Sequence, residues 1–125
     1  MNCLIIGGNS QIASHMRRLY SQPHITFFST YRDKRFCTDK YSFWLDLELV
    51  HCYERELKSF IASNNISTAL ISAGITSQDA CESDPAYTEL INVKAVKRIF
   101  DILFSSNVFI VLFIVILLLK STISY

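Results

Sequence analysis

Gly7, Gly8, Asn9, Ser10, Gln11, Ile12 and Ala13 follow directly on the apolar run Cys3-Leu4-Ile5-Ile6. A strand, a glycine turn and a helix in that order gather backbone N–H groups at one point, and the helix N-terminus adds partial positive charge. The chemistry this suits is the binding of a phosphate-containing ligand, a dinucleotide in particular. The spacing here is Gly7-x-x-Ser10-x-x-Ala13. Ala13 is an accepted small residue where helix meets strand. Ser10 departs from the glycine that lets a phosphate come closest to the backbone. On this motif alone an ordinary strand–helix turn stands as the alternative.

Three further segments could meet the same ligand. Tyr31-Arg32 closes the second apolar run, with Lys34 and Arg35 close behind. A carboxylate usually follows this strand when the ribose carries a 2′-hydroxyl. A guanidinium suits a 2′-phosphate, so the expected cofactor is NADP, with NAD as the alternative. Asp33 is a weaker candidate for the ribose, and a solvated loop is the plain reading of Arg32. Asp46-Leu47 follows Phe43-Trp44-Leu45. That aspartate could accept a hydrogen bond from an adenine amino group, the leucine packing on the ring, or it could simply cap a helix. Ala73, Gly74 and Ile75 follow a fourth apolar run, and their small members would let a cofactor lie against backbone. Asn92 sits among apolar helical positions, where asparagine is a poor helix former, so it is expected to bond a neighbouring loop or strand.

The elements that would position these residues alternate along the chain. Strands are expected at 3–6, 25–29, 43–45 and 68–72. A helix over 11–21 would bury Ile12, Met16 and Leu19 and stop at Ser21-Gln22-Pro23. A second helix carries Val50, Tyr53, Leu57, Phe60 and Ile61 and closes at Asn64-Asn65. Asp84-Pro85 is a strong helix start. The helix it opens buries Tyr87, Leu90, Ile91, Ala95, Ile99 and Leu103 and ends at Ser105-Ser106-Asn107. Continuous apolar strands alternating with helices predict an α/β fold, a parallel sheet covered on both faces.

Composition narrows the function classes. The chain has 125 residues, half of them apolar, and a net charge of +1. That is one domain, with no electrostatic case for a nucleic-acid partner. Cys3, Cys37, Cys52 and Cys81 show no C-x-x-C spacing, and the histidines form no ligand cluster with them, so no metal is expected. Free thiols and the lack of a secretory leader pattern lead to a cytoplasmic expectation. The uncharged run from Val108 to Leu119 falls short of the roughly 20 residues a spanning helix needs, so a membrane anchor is the lesser reading.

Taken together, Met1 through Ala13, Ala73-Gly74-Ile75-Thr76, the loop from Thr76 to Pro85 and Asn92-Val93 resemble the extended short-chain dehydrogenase/reductase superfamily. The likeness is strongest to dTDP-4-dehydrorhamnose reductases and related sugar-nucleotide reductases and epimerases, over roughly residues 1–113. The resemblance implies a Rossmann fold, NAD(P)H bound near Gly7, Arg32, Asp46 and Ala73, and hydride transfer to a nucleotide-bound keto-sugar. It also sets two departures. No tyrosine has a lysine four residues later, so the family's Tyr-x-x-x-Lys acid is missing. After Phe113 an apolar stretch stands where the family shows a Ser/Thr-rich strand end, and neither Ser121 nor Tyr125 can be given a catalytic role. The expectation is an incomplete NAD(P)-binding Rossmann-like domain over 1–113, truncated after about the fifth strand, with an atypical hydrophobic tail over 114–125. Cofactor binding would be weak or lost, and an exposed sheet edge would favour self-association. The alternatives are a non-enzymatic Rossmann-like remnant or interaction module, and a small membrane-associated protein anchored by 108–119.

Overall fold

The computed structural model describes residues 1–19, 23–72 and 83–112. Five strands, β1 (Asn2–Ile6), β2 (Thr26–Tyr31), β3 (Ser42–Trp44), β4 (Thr68–Ile71) and β5 (Phe109–Leu112), form one sheet in the order β3-β2-β1-β4-β5. Every pairing is parallel, with Leu4 opposite both Phe28 and Ala69, and Leu70 opposite Val111. Helices connect the strands: α1 (Gln11–Leu19), α2 (Glu54–Ser63), α3 (Pro85–Glu89) and α4 (Val96–Ser105). A π-helical stretch, Leu90–Ala95, joins α3 to α4. This is the expected parallel α/β sheet.

The continuous apolar strands have the cause assigned to them. Cys3, Leu4, Ile5 and Ile6 are all buried, because β1 lies in mid-sheet with side chains packed on both faces. The larger core joins Leu4, Ile6, Phe28, Ala69 and Ile71 to Leu57 and Ile61 of α2 and to Ile99, Ile102 and Leu103 of α4. The smaller core, on the opposite face, joins Ile5 and Leu70 to Ala13, with Met16 and Phe27 at its border. Alternation along β5 continues this division. Ile110 packs against the larger core, while Phe109 and Val111 are exposed.

The face of α1 differs from the expectation. Ala13 is its one buried residue and Met16 is half-buried, whereas Ile12 and Leu19 are exposed. The helix meets Ile5 and Leu70 of the sheet through Ala13. The second helix also begins later than Val50, because Leu47–Cys52 forms a 3₁₀ turn before α2 starts at Glu54. β2 lies one residue further along than expected at its start and reaches Tyr31, which pairs with Trp44.

Two helix ends are built alike. Asn65 and Asn107 adopt left-handed backbone conformations, with φ of 51° and 58°. In the first, the Ile66 N–H donates to the Ile61 carbonyl and the Asn65 N–H to that of Ala62; in the second, Val108 donates to Leu103 and Asn107 to Phe104. These are Schellman motifs, each with a buried apolar contact, Ile66 on Ile61 and Val108 on Leu103. Each turns the chain out of a helix and straight into a strand, β4 after the first and β5 after the second.

Candidate functional site

Because all five strands are parallel, their carboxyl ends lie along one edge of the sheet. The chain leaves β1 for β2 and β3 on one side, then crosses back to lay β4 on the other. The strand order therefore reverses between β1 and β4, and ligands in open α/β sheets bind outside the strand ends at that point. The glycine turn Gly7–Ser10 leaves β1 there.

Gly7 has a φ of 96°, which an L side chain rarely adopts. Its N–H donates to Thr30 Oγ1 at 3.0 Å, and its carbonyl accepts from the Ser10 N–H at 3.2 Å. Gly8 donates to the Thr30 carbonyl at 2.8 Å. A Cβ on Gly8 would lie 2.6 Å from Ser29 Cβ and 2.8 Å from the Tyr31 ring, so the turn closes on β2 only with glycine there. The motif spacing did not single out Gly8. The adjacent Gly-Gly pair was the available signal.

The structure explains why Ser10 stands at a glycine position. Its Oγ accepts from the Ala13 N–H at 3.0 Å, capping α1, and lies 3.1 Å from Ser72 Oγ. Ser72 Oγ is also 3.1 Å from the Ile6 carbonyl and 3.2 Å from that of Gly7. A hydroxyl has one proton, so Ser72 donates to these carbonyls and Ser10 is the donor between the two serines. The pair ties the ends of β1 and β4 together across the switch point. Among the described residues the backbone N–H groups of Gln11 and Ile12 donate to nothing, and the Asn9 side chain is exposed. The first turn of α1 thus presents two donors and the positive end of its dipole, a donor set that fits a phosphate.

Arg17 holds this turn from behind. Nη2 donates to the Gly8 carbonyl at 2.7 Å and Nη1 to Ser29 Oγ at 3.0 Å. No motif singles out Arg17 in the sequence; it is half-buried and bridges α1, the turn and β2.

A second group surrounds the ends of β2 and β3. Tyr31 is half-buried, its ring 5.7 Å from that of Phe36. Arg32 is exposed, 3.9 Å from Asp46 and 4.0 Å from Glu48, and its carbonyl accepts from Trp44 Nε1 at 2.7 Å. Arg35 pairs with Asp33 at 2.6 Å and holds that carboxyl below the usual carboxylate range. Lys34 Nζ sits 4.7 Å from the centre of the Trp44 ring, a cation–π contact. Asp46 Oδ1 accepts from the Glu48 N–H at 3.0 Å and caps the 3₁₀ turn, the plainer of its two expected roles. Leu47 packs against the larger core. The Glu48 carboxylate beside the Tyr87 hydroxyl raises the pKa of that phenol.

Asn92 is half-buried and partnered, and it lies in the π-helical stretch rather than in a regular α-helix. Such stretches recur near functional sites. Ala73, Gly74 and Ile75 lie outside the described residues, as does the tail over 114–125. Cys3 is buried, and burial pushes its thiol pKa up. Among the described residues no three metal-ligating side chains converge, and no helix is long and apolar enough to cross a membrane.

The chain therefore has a Rossmann-like α/β fold with a glycine turn at its switch point. Its structural neighbours include sugar-nucleotide reductases and epimerases, the group that the sequence resembles. It matches a protein described as a hypothetical dTDP-4-dehydrorhamnose reductase from Sulfolobus tokodaii with a TM-score of 0.69 at 25% identity, over 90% of this chain and 38% of that one. It matches a UDP-glucose 4-epimerase from Stenotrophomonas maltophila, solved with bound NAD, with a TM-score of 0.74 at 14% identity, over 90% and 36% of the two chains. A UDP-glucose 4-epimerase from Bifidobacterium longum, in complex with NAD+ and UDP, gives 0.73 at 16% identity, over 90% and 36%. The chain spans little more than a third of the length of these proteins. No protein-family model and no curated protein matches its sequence.

Proposed function

We propose that this chain is the dinucleotide-binding portion of a sugar-nucleotide reductase- or epimerase-like protein, spanning residues 1–113, with residues 114–125 as an atypical tail. One observation carries the reading. Gly7, in its left-handed conformation, turns the chain at the switch point so that the Gln11 and Ile12 amides, unpaired among the described residues, head α1. A pyrophosphate would lie there against Gly7, Asn9, Ser10, Gln11 and Ile12.

The adenosine end would extend toward Tyr31, Arg32, Asp46 and Leu47, with NADP the cofactor suggested by Arg32 and NAD the alternative. Ala73, Gly74, Ile75 and Asn92 complete the proposed set. When bound, the dinucleotide supplies hydride transfer; the residues of this chain bind and orient it. A nucleotide-sugar would be the substrate of the full-length protein. With no Tyr-x-x-x-Lys, the chain by itself is proposed to be catalytically incompetent, cytoplasmic, and prone to self-association through its exposed sheet edge.

The test is titration of the full chain with NADPH and with NADH, followed by nicotinamide fluorescence and thermal shift. Saturable binding that is lost in Gly7→Val supports the reading. No binding of either dinucleotide at millimolar concentration would refute it, and would leave the Rossmann-like remnant or interaction module in its place.

A further inference from the structure

The basic residues after β2 are all engaged within the fold. Arg35 is held by Asp33, and Lys34 lies over the Trp44 ring. Arg32, the first residue beyond β2, has its guanidinium near two carboxylates, Asp46 at 3.9 Å and Glu48 at 4.0 Å. Three cations and three carboxylates (Asp33, Asp46 and Glu48) thus share this rim, and their charges balance.

The two carboxylates beside Arg32 are not equivalent. The Asp46 side chain is 18% exposed and accepts the Glu48 N–H, so the turn after β3 depends on it. The Glu48 side chain is 38% exposed, and no backbone group of the described residues relies on its carboxylate. It faces Arg32 on one side and the Tyr87 hydroxyl on the other. Neutralising Glu48 leaves the local backbone bonds in place.

We propose that Glu48 is a specificity-determining residue, whose carboxylate engages Arg32 and lowers the affinity of this rim for a dinucleotide bearing a 2′-phosphate relative to one bearing a 2′-hydroxyl. This rests on the reading above, that a nicotinamide dinucleotide places its adenosine ribose near Arg32. A 2′-phosphate carries close to two negative charges. To reach the Arg32 guanidinium it must come beside Glu48 or displace it. Displacing an exposed pair is easy, but the repulsion between carboxylate and phosphate persists. A 2′-hydroxyl carries no charge and gains nothing when Glu48 is neutralised. Glu48 therefore acts on one dinucleotide and spares the other.

The experiment measures dissociation constants of NADPH and NADH for the full chain as wild type, Glu48→Gln and Glu56→Gln. Glu48→Gln is expected to tighten NADPH about five-fold, the effect of one charge at several ångströms in a water-exposed setting, and to leave NADH within about two-fold. The gain should shrink in about 0.5 M salt. Glu56→Gln removes the same charge from the exposed surface of α2 and should leave the ratio unmoved. If both dinucleotides bind but Glu48→Gln leaves their ratio as it was, or Glu56→Gln shifts it equally, the proposal is overturned while the dinucleotide reading stands. If neither dinucleotide binds to any variant, that reading fails and takes the proposal with it.

Discussion

Replacing Arg17 by alanine should destabilise the fold far more than a surface substitution does. The wild-type guanidinium makes two charge-assisted hydrogen bonds, at 2.7 Å to the Gly8 carbonyl and 3.0 Å to Ser29 Oγ. Hydrogen bonds to charged groups contribute about 1.5–3 kcal/mol each, and the half-buried position of Arg17 argues for the lower end. The loss also strands Ser29, which is 4% exposed. A combined cost of about 2–3 kcal/mol follows, which for a domain of this size lowers Tm by about 6–15 °C. Arg17→Lys should recover little of it, because an ammonium lacks the fork that reaches two acceptors at once. Arg17→Met keeps most of the apolar stem and separates lost packing from lost hydrogen bonds. Thermal unfolding by circular dichroism reads the effect, with urea midpoints at unchanged slope as the check. Were Arg17→Ala to melt within about 2 °C of wild type, the reasoning from geometry would be wrong and Arg17 would be a solvated residue after all.

Other substitutions probe the remaining joints. Gly8→Ala forces a methyl into Ser29 and Tyr31, and is expected to lower Tm by more than the about 4 °C typical of a mild lesion, or to prevent soluble expression. Ser10→Ala removes the α1 cap and its link to Ser72, at about 1 kcal/mol in urea denaturation. Asn107→Ala places an ordinary side chain in a left-handed conformation and should cost about 1 kcal/mol, whereas Asn107→Gly should be close to neutral. The Tyr87 phenol should titrate above the ordinary tyrosine value of 10.0, as followed by NMR of ring-labelled protein, and Glu48→Gln should bring it down. A raised phenol pKa means that its contribution to stability is fully present below pH 10.0 and is lost as pH rises through the folded-state value.

Much of the frame was legible because its signals are local. Cys3–Ile6 and Thr68–Ile71 are apolar runs bounded by polar residues, and both are strands. The stops at Asn64-Asn65 and Ser105-Ser106-Asn107 mark left-handed caps, which asparagine tolerates. What the sequence hid depends on what crosses above or beside a residue. Ile12 and Leu19 look like the buried stripe of α1, yet Ala13 is the residue that packs on the sheet. Arg17 reads as surface charge until β2 is placed beside it. Glu48 carries no motif, and its place beside Arg32 follows only once β2 and β3 are paired in register.

The placement of β1 has a consequence for how the chain comes together. It is the middle strand of the sheet, yet it is synthesised before either neighbour. Its first partner, Thr26, follows soon after, but its second edge pairs Cys3 with Thr68 and must wait for the other half of the sheet. Until then an apolar strand has an open edge while the polypeptide grows, a species exposed to wrong pairing. The long sequence separation of these contacts makes that closure slow. Conditions that lengthen the interval between making residue 6 and residue 71 should therefore lower the yield of folded protein, even though they leave its final stability untouched.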